Sequence, residues 1–259
     1  MVLLTILTVV FGISIASLLG GLVLLYKKSW AKTLSKYLVN FAIGALFAVA
    51  FLDLLPEAIA LQETGNVLVY SLVGILAFYL LEKTLLWYHH HSSLDHMLES
   101  KRQHPPEEVA HPVGYLITIG DALHNFIDGV IIAASFLVDF RLGILTSIAV
   151  LFHELPQEIG DFAVMLHAKF SRVKVFTYNL LSQLAAVVGA LVGFYLLPYF
   201  ENFEPVLLAF AAGGFIYIAG SDLLPETHKE RTFGKSLLQT VILVLGILTF
   251  WYIGIIFPE

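Results

Sequence analysis

Two short polar segments interrupt apolar stretches of this chain, and both are rich in residues that bind metal ions. Residues 120–129 read GDALHNFIDG, and residues 153–161 read HELPQEIGD. Imidazole nitrogens together with carboxylate oxygens suit Zn²⁺, Fe²⁺ and Mn²⁺ as ligands and fit Ca²⁺ poorly. The two segments therefore predict a site for a divalent metal ion.

The spacing of these residues places them on one face of each of two helices. At 100° per residue, the polar side chains of the first segment fall within an arc of about 100°, and those of the second within about 140°. Two such helices facing one another would surround a cation. The candidate metal ligands are His124, Asn125, Asp128, His153, Glu154, Gln157, Glu158 and Asp161.

Three other interpretations of the same residues stay open at this point. The polar side chains could form a hydrogen-bonded network that only packs the helices, or a proton relay without metal. HELPQ also partly matches the HExxH motif of zinc proteases, although Gln157 replaces the second histidine and Pro156 lies between the ligands. Ionisable groups deep in a membrane helix cost roughly 2.5–3.5 kcal/mol each, which favours an ion over packing alone.

The apolar character of the chain indicates which elements position these segments. Of the 259 residues, 58% are hydrophobic and 13% are charged, and the mean hydropathy is +0.85. A water-soluble domain needs more charge, so we expect an all-α integral membrane protein with a single transmembrane transporter domain over residues 1–259. The absence of cysteine excludes thiolate metal sites. The eight predicted transmembrane helices are 2–26, 39–60, 67–88, 113–138, 142–167, 175–197, 205–225 and 236–257.

The basic residues predict the orientation of these helices. Of the 14 Lys and Arg residues, all but Arg141 lie in or next to the loops that follow predicted helices one, three, five and seven. Cytoplasmic loops carry such an excess of positive charge. We therefore expect both termini outside. Since no large extracellular domain is evident, we also expect a multi-pass protein of a prokaryotic plasma membrane, with an organelle membrane as the alternative.

The longest predicted loop, residues 89–112, lies on the cytoplasmic side and is rich in histidine. Two interpretations of it have equal weight: a flexible linker, or a tract that collects metal ions with low affinity. The six histidines of this loop are His89, His90, His91, His96, His104 and His111.

An internal repeat relates the two halves of the chain. Residues 41–58 read FAIGALFAVAFLDLLPEA and residues 210–227 read FAAGGFIYIAGSDLLPET, so nine of 18 positions are identical. In the predicted topology the two copies run in opposite directions. We therefore expect an inverted repeat of helices one to three and six to eight around a central pair, helices four and five. The acids of the two DLLPE sequences either gate a pathway or cap helix ends.

These features resemble the ZIP (Zrt- and Irt-like protein) family of metal-ion transporters over nearly the whole chain. HNFIDG, HELPQEIGD and the two DLLPE sequences resemble its motifs, and the nearest resemblance is to the subfamily with HExPHExGD. The resemblance implies a transporter rather than an enzyme, a metal centre between helices four and five, and a homodimer in which a four-helix bundle moves past a static one. This chain has Gln157 where that subfamily has histidine, and a neutral amide cannot supply the negative bridge that holds two cations close.

The resulting hypothesis is uptake of zinc into the cytosol, with Fe²⁺, Mn²⁺ or Cd²⁺ as alternative transported substrates. We expect no prosthetic group and no nucleic-acid partner; the partners are metal ions and the lipid bilayer. A proton-exchanging exporter of divalent cations is the alternative, and an intramembrane metalloprotease is a weaker one. The candidate gate or pathway residues are Asp53, Glu57, Asp121, His167, Gln183, Asp222 and Glu226.

Overall fold

The computed structural model of the chain is almost entirely helical. It describes residues 1–61, 66–100, 110–167, 170–199 and 204–256, and no β-strand occurs within those ranges. The helical segments form eight continuous rods, which we number α1 to α8. Each rod contains nearly all of its predicted helix, which confirms the all-helical fold class.

Six of the rods are uninterrupted α-helices, whereas α2 and α7 each contain a π-helical stretch. The uninterrupted helices are α1 (Val2–Tyr26), α3 (Val67–Ser100), α4 (Ala110–Val138), α5 (Phe140–His167), α6 (Arg172–Leu196, followed by a 3₁₀ turn at Leu197–Tyr199) and α8 (Phe233–Ile256). Rod α2 consists of Lys28–Ala48, the π-helical Val49–Leu54 and Leu55–Leu61. Rod α7 consists of Glu204–Tyr217, the π-helical Ile218–Leu223 and Leu224–Thr227.

Seven of these rods are long and apolar enough to cross a membrane, as judged over the described residues. The remaining rod is α5, which carries the HELPQEIGD segment. The polar candidate ligands of this segment lower the mean hydropathy of α5. The same residues that could bind a metal ion therefore make α5 harder to recognise as a membrane helix from its hydropathy.

Helix α3 extends further than the sequence predicted. Its predicted end was residue 88, but the helical backbone continues to Ser100. The backbone of His89, His90, His91 and His96 is therefore helical, whereas His104 lies outside the described residues. The backbone of His111 belongs to the start of α4.

The rods pack as two groups of four. The first group consists of α1, α4, α5 and α6, in which α4 lies along α6 and α1 lies along α5 and α6. The second group consists of α2, α3, α7 and α8, in which α2 lies along α8 and α3 lies along α7. Contacts between α2 and α5 join the groups. The polar segments of α4 and α5 both belong to the first group, so this packing brings them face to face.

Glycine allows the closest of these helix pairs to touch backbone to backbone. A Cβ atom on Gly129 of α4 would lie 2.0 Å from the carbonyl oxygen of Ala186, and one on Gly189 of α6 would lie 2.0 Å from that of Phe126. Small residues at a membrane helix interface permit such an approach. The α4–α6 contact thus holds α6 against the polar face of α4.

The two π-helical stretches occupy the same six positions of the repeated segments. Val49–Leu54 ends two residues before Pro56, and Ile218–Leu223 ends two residues before Pro225. Each stretch contains the aspartate of its DLLPE sequence. Such widened turns are rare and occur frequently at functional sites.

Candidate metal centre

Four side chains converge where the middles of α4 and α5 face each other. His124 and Asp128 lie one turn apart on α4, and His153 and Glu154 are adjacent on α5. Asp128, His153 and Glu154 are each at most 1% exposed, and His124 is half-buried. We call these four residues the histidine group.

The ligand atoms of the histidine group lie at separations close to those that a tetrahedral zinc ion requires. His124 Nε2 is 3.2 Å from His153 Nε2, and His153 Nε2 is 3.0 Å from Asp128 Oδ2. His124 Nε2 is 3.8 Å from Asp128 Oδ2, and Glu154 Oε1 is 3.7 Å from each of the two Nε2 atoms. Zinc bonds of about 2.0–2.2 Å in a tetrahedron separate neighbouring ligand atoms by about 3.3 Å.

Neighbouring groups orient the two imidazoles. His153 Nδ1 lies 3.3 Å from the carbonyl oxygen of Ala149, which leaves Nε2 directed at the group. The ring of Phe78 packs edge-on against the ring of His124, with the ring centroids 6.2 Å apart. The ring of Phe215 packs against that of His153 with the same centroid separation. Both phenylalanines come from the second group of rods, so they cover the histidine group from that side.

Two carboxylate oxygens of the histidine group are buried without a hydrogen-bond donor. They are Asp128 Oδ1 and Glu154 Oε1. A buried acceptor without a partner is costly, and the cost is greater for a charged group. A bound cation supplies the missing positive charge, which favours a metal site over a network that only packs the helices.

The structure divides the predicted ligands into two groups rather than one. Asp121, Glu158 and Asp161 have ligand atoms within 4.8 Å of one another, and they form a second cluster that we call the acidic group. The sequence predicted a single shared site because helical periodicity does not resolve how far along the two helices each side chain reaches.

Amide side chains lie between the two groups. Asn125 Nδ2 and Gln157 Nε2 donate to Asp121 Oδ1 at 3.0 and 3.1 Å. Gln183 Nε2 of α6 donates to Glu154 Oε2 at 2.7 Å and to Glu158 Oε2 at 3.2 Å. Asn125 and Gln157, predicted as metal ligands, thus act here as hydrogen-bond donors to a carboxylate. Gln183, predicted as a pathway residue, contacts both groups.

Two of the remaining predicted pathway residues, Asp53 and Glu57, lie outside both groups. Asp53, in the π-helical stretch of α2, pairs with Arg141 of α5, and the half-buried Glu57 follows one turn later. Neither belongs to the two groups. His167, Asp222 and Glu226 have helical backbones, but their side chains lie outside the described part of the structure.

Two residues that contact predicted site or pathway residues were missed by sequence reasoning. Ser182 Oγ donates to Asp121 Oδ2 at 2.5 Å, and Arg141 pairs with Asp53. The sequence offered no signal for Ser182, which is a single serine next to Gln183 in an apolar helix. The sequence feature that could have identified Arg141 is its position, since it is the one basic residue on the predicted outer side of the membrane.

Comparison with known proteins decides the family. Residues 2–254 match the family model described as ZIP Zinc transporter. The chain belongs to the ZIP family. ZIP proteins are membrane transporters and not enzymes, so the metalloprotease alternative is excluded.

Relatives of the ZIP family from animals and yeast align with most of the chain. "Zinc transporter ZIP13" of Pongo abelii is 35% identical over 82% of this chain, and "Zinc transporter YKE4" of Saccharomyces cerevisiae is 30% identical over 86%. "Metal cation symporter ZIP8" of Rattus norvegicus is 29% identical over 86%. The chain spans 64% of the length of the Pongo abelii protein and 71% of that of the yeast protein.

Proposed function

We propose that this protein transports divalent metal cations across a lipid bilayer and that the histidine group is the site at which the ion is held. The observation that carries this proposal is the spacing of four nitrogen and oxygen atoms, of which five pairs lie 3.0–3.8 Å apart deep between α4 and α5. These separations are close to the value of about 3.3 Å expected between the ligands of a tetrahedral zinc ion, so small side-chain shifts would complete the site.

Zinc is the substrate that the ligands favour most. Two imidazoles and two carboxylates form the mixed nitrogen and oxygen set that zinc accepts, and relatives named as zinc transporters support the same ion. Fe²⁺, Mn²⁺ and Cd²⁺ are alternative substrates of the same site. The ion is cargo in this proposal, and the protein needs no resident prosthetic group.

We infer uptake toward the cytosol. The distribution of Lys and Arg residues supports eight membrane helices, including α5, with both termini outside. A membrane potential that is negative inside favours cation entry by roughly 2.3 kcal/mol per charge per 100 mV. Location in the plasma membrane and assembly as a homodimer stay predictions.

An inverted repeat of α1–α3 and α6–α8 around α4 and α5 is supported by matched packing as well as by sequence. Gly44 of α2 meets Gly246 of α8, and Gly213 of α7, at the matching repeat position, meets the backbone of α3. The π-helical stretches match in the same way. Two equivalent helix pairs of this kind are typical of transporters that alternate access between the two sides.

In the proposed mechanism, the ion exchanges water for the side chains of the histidine group. His124 and His153 bind through Nε2, and Asp128 and Glu154 are neutralised. Neutralisation removes the cost of buried charge, so the first group of rods can shift relative to the second. The ion then leaves toward the predicted cytoplasmic side, where α4 begins and α5 ends.

The test is uptake of radioactive zinc by vesicles that contain the protein in known orientation. His124→Ala and Asp128→Ala should each abolish saturable uptake, whereas Leu123→Ala, at the exposed neighbouring position of α4, should not. Unchanged uptake in both site variants would remove the histidine group from the mechanism. Net zinc efflux driven by an inward proton gradient would instead support the exporter.

A further inference from the structure

The carboxylate of Glu82 lies in the apolar part of α3, outside both clusters of the candidate metal centre. The apolar span of α3 covers Val67–Thr84, and Glu82 is half-buried near the end of that span. An ionisable side chain in a membrane helix faces the bundle interior, water or an ion, because contact with lipid tails is costly. Glu82 therefore requires polar surroundings inside the bundle.

A tyrosine of α7 holds this carboxylate. The hydroxyl of the half-buried Tyr217 donates to Glu82 Oε2, and its ring packs against the ring of Tyr79 with the centroids 6.4 Å apart. Tyr217 is the last residue of α7 before the π-helical stretch. The neighbouring Lys83 donates to the hydroxyl of Tyr79 at 2.9 Å, which directs its ammonium at that phenol. A neutral donor rather than a cation thus orients Glu82.

Glu82 and Tyr217 lie just beyond the two rings that cover the histidine group. Phe78 precedes Glu82 by four residues on α3, which corresponds to about 6 Å of helix. Phe215 precedes Tyr217 by two residues on α7. Both displacements point toward the end of α3 and the start of α4. This is the direction in which the proposed mechanism releases the ion.

The face of α3 that carries Glu82 also meets the histidine group. Residues four apart in a helix are neighbours on one face, so Glu82 shares its face with Phe78. The ring of Phe78 reaches α7 as well, since a Cβ atom on Gly214 would lie 2.5 Å from it. This face therefore lies at the junction of α3, α7 and the histidine group, and Glu82 adds a carboxylate to that junction.

We propose that Glu82 is an exit residue, whose carboxylate attracts the cation as it leaves the histidine group, and that Tyr217 is a positioning residue that directs this carboxylate. The inference rests on the proposed function and deepens it, because it gives the second group of rods an active part in transport. One carboxylate binds a divalent cation more weakly than the four ligands of the histidine group do, so the ion passes on.

The experiment compares zinc uptake with zinc binding for the full chain. Initial uptake rates are measured over a range of zinc concentrations in oriented vesicles, and zinc binding is measured by equilibrium dialysis in lipid nanodiscs. Glu82→Gln keeps the size of the side chain and an acceptor for Tyr217 but removes the charge. Its maximal uptake rate should fall about 5-fold without a rise in KM, because the ion binds normally and leaves slowly. Its zinc affinity should match that of the wild type.

The tyrosine is tested through its effect on Glu82. Tyr217→Phe removes the donor and should lower the maximal rate about 2-fold, whereas Glu82→Gln/Tyr217→Phe should be no slower than Glu82→Gln alone. A tyrosine that only packed α3 against α7 would slow both backgrounds equally. Glu82→Asp, which keeps the charge, should recover part of the rate. Tyr79→Phe, which removes the acceptor for Lys83, is the matched control and should transport zinc like the wild type.

Three results would overturn the proposal. They are an unchanged maximal rate in Glu82→Gln, a loss of rate that weaker zinc binding explains, and equal slowing by Tyr217→Phe in both backgrounds. Each of them leaves the histidine group as the proposed metal site. The proposed function fails separately, if the wild type binds no zinc or if His124→Ala keeps saturable uptake.

Discussion

Arg141 Nη2 of α5 lies 3.2 Å from Asp53 Oδ1 of α2, and this contact ties one group of four rods to the other. Both side chains are largely buried, at 21% and 5% exposed. Gly254 of α8 leaves room for the pair, since a Cβ atom there would lie 3.0 Å from Arg141 Nη2. Any movement of α5 relative to α2 must stretch or break this contact.

The first prediction is that Asp53 and Arg141 act as a unit during transport. Asp53→Asn leaves a largely buried guanidinium without its carboxylate, so we expect slower zinc uptake. In the double variant Asp53→Asn/Arg141→Gln, the fold-loss in uptake rate should be about 2–5 times smaller than the product of the two single fold-losses. This difference corresponds to a coupling free energy of about 0.5–1 kcal/mol. Initial uptake rates of the four proteins measure this coupling, and multiplicative losses would show that the pair has no joint role.

The second prediction concerns metal preference at position 157. Gln157→His replaces an amide donor to Asp121 with an imidazole, which favours zinc over manganese. We expect the ratio of zinc to manganese uptake to rise several-fold in competition assays. The same substitution at Gln239, buried on α8, is the control. An unchanged ratio with unchanged affinities would count against a role for this position in ion selection.

The third prediction concerns the α4–α6 contact. Gly129→Ala adds a Cβ atom that the Ala186 carbonyl oxygen would meet at 2.0 Å, so the helices must separate. Overpacking typically costs about 1–3 kcal/mol, and separation also pulls Ser182 away from Asp121. We expect a lower thermal unfolding temperature and weaker zinc uptake. Gly160→Ala on α5, where nothing lies within 4 Å, should change neither.

The fourth prediction concerns pH and the surface ion pair between Lys36 of α2 and Glu230, which precedes α8. The hydrogen bond from the Lys36 ammonium, aided by the backbone N–H of Thr232, lowers the pKa of Glu230 from 4.5 to about 2. Because the folded pKa is the lower one, the stabilisation is complete above about pH 4.5 and is lost as pH falls toward 2.

Thermal unfolding of Glu230→Gln across pH measures that pair. Its unfolding temperature should lie slightly below that of the wild type by a constant amount above pH 5, and the difference should disappear as pH approaches 2. Glu204→Gln, an exposed acid on α7, should show no such trend. A difference that grows as the solution becomes more acidic would contradict the assigned pairing.

The helices and their polar faces were predictable because hydropathy and helical periodicity are local properties of a sequence. His124, Asp128, His153 and Glu154 share faces by spacing alone, and the structure brings them together as expected. The division into two groups was not predictable, because it depends on the crossing of α4 and α5. The donor role of Gln157 likewise depends on where its side chain points.

Local patterns also failed where the backbone departs from the regular α-helix. Nothing in Val49–Leu54 or Ile218–Leu223 distinguishes a π-helical stretch from an α-helical one by composition. The repeated sequence indicates that the two stretches are related, but their shared π-helical backbone is evident only in the structure. Ser182 was missed for a similar reason, since one serine in an apolar helix carries no signal until its partner on another helix is known.

The π-helical stretches change the phase of the rods that contain them. A residue inserted into a helix turns everything after it by about 100° about the axis. The backbones of the DLLPE ends of α2 and α7 are therefore rotated about the rod axis relative to their positions in an uninterrupted α-helix. An uninterrupted helical wheel drawn through position 49 would assign Asp53 and Glu57 to the wrong side, and the same error would recur at position 218.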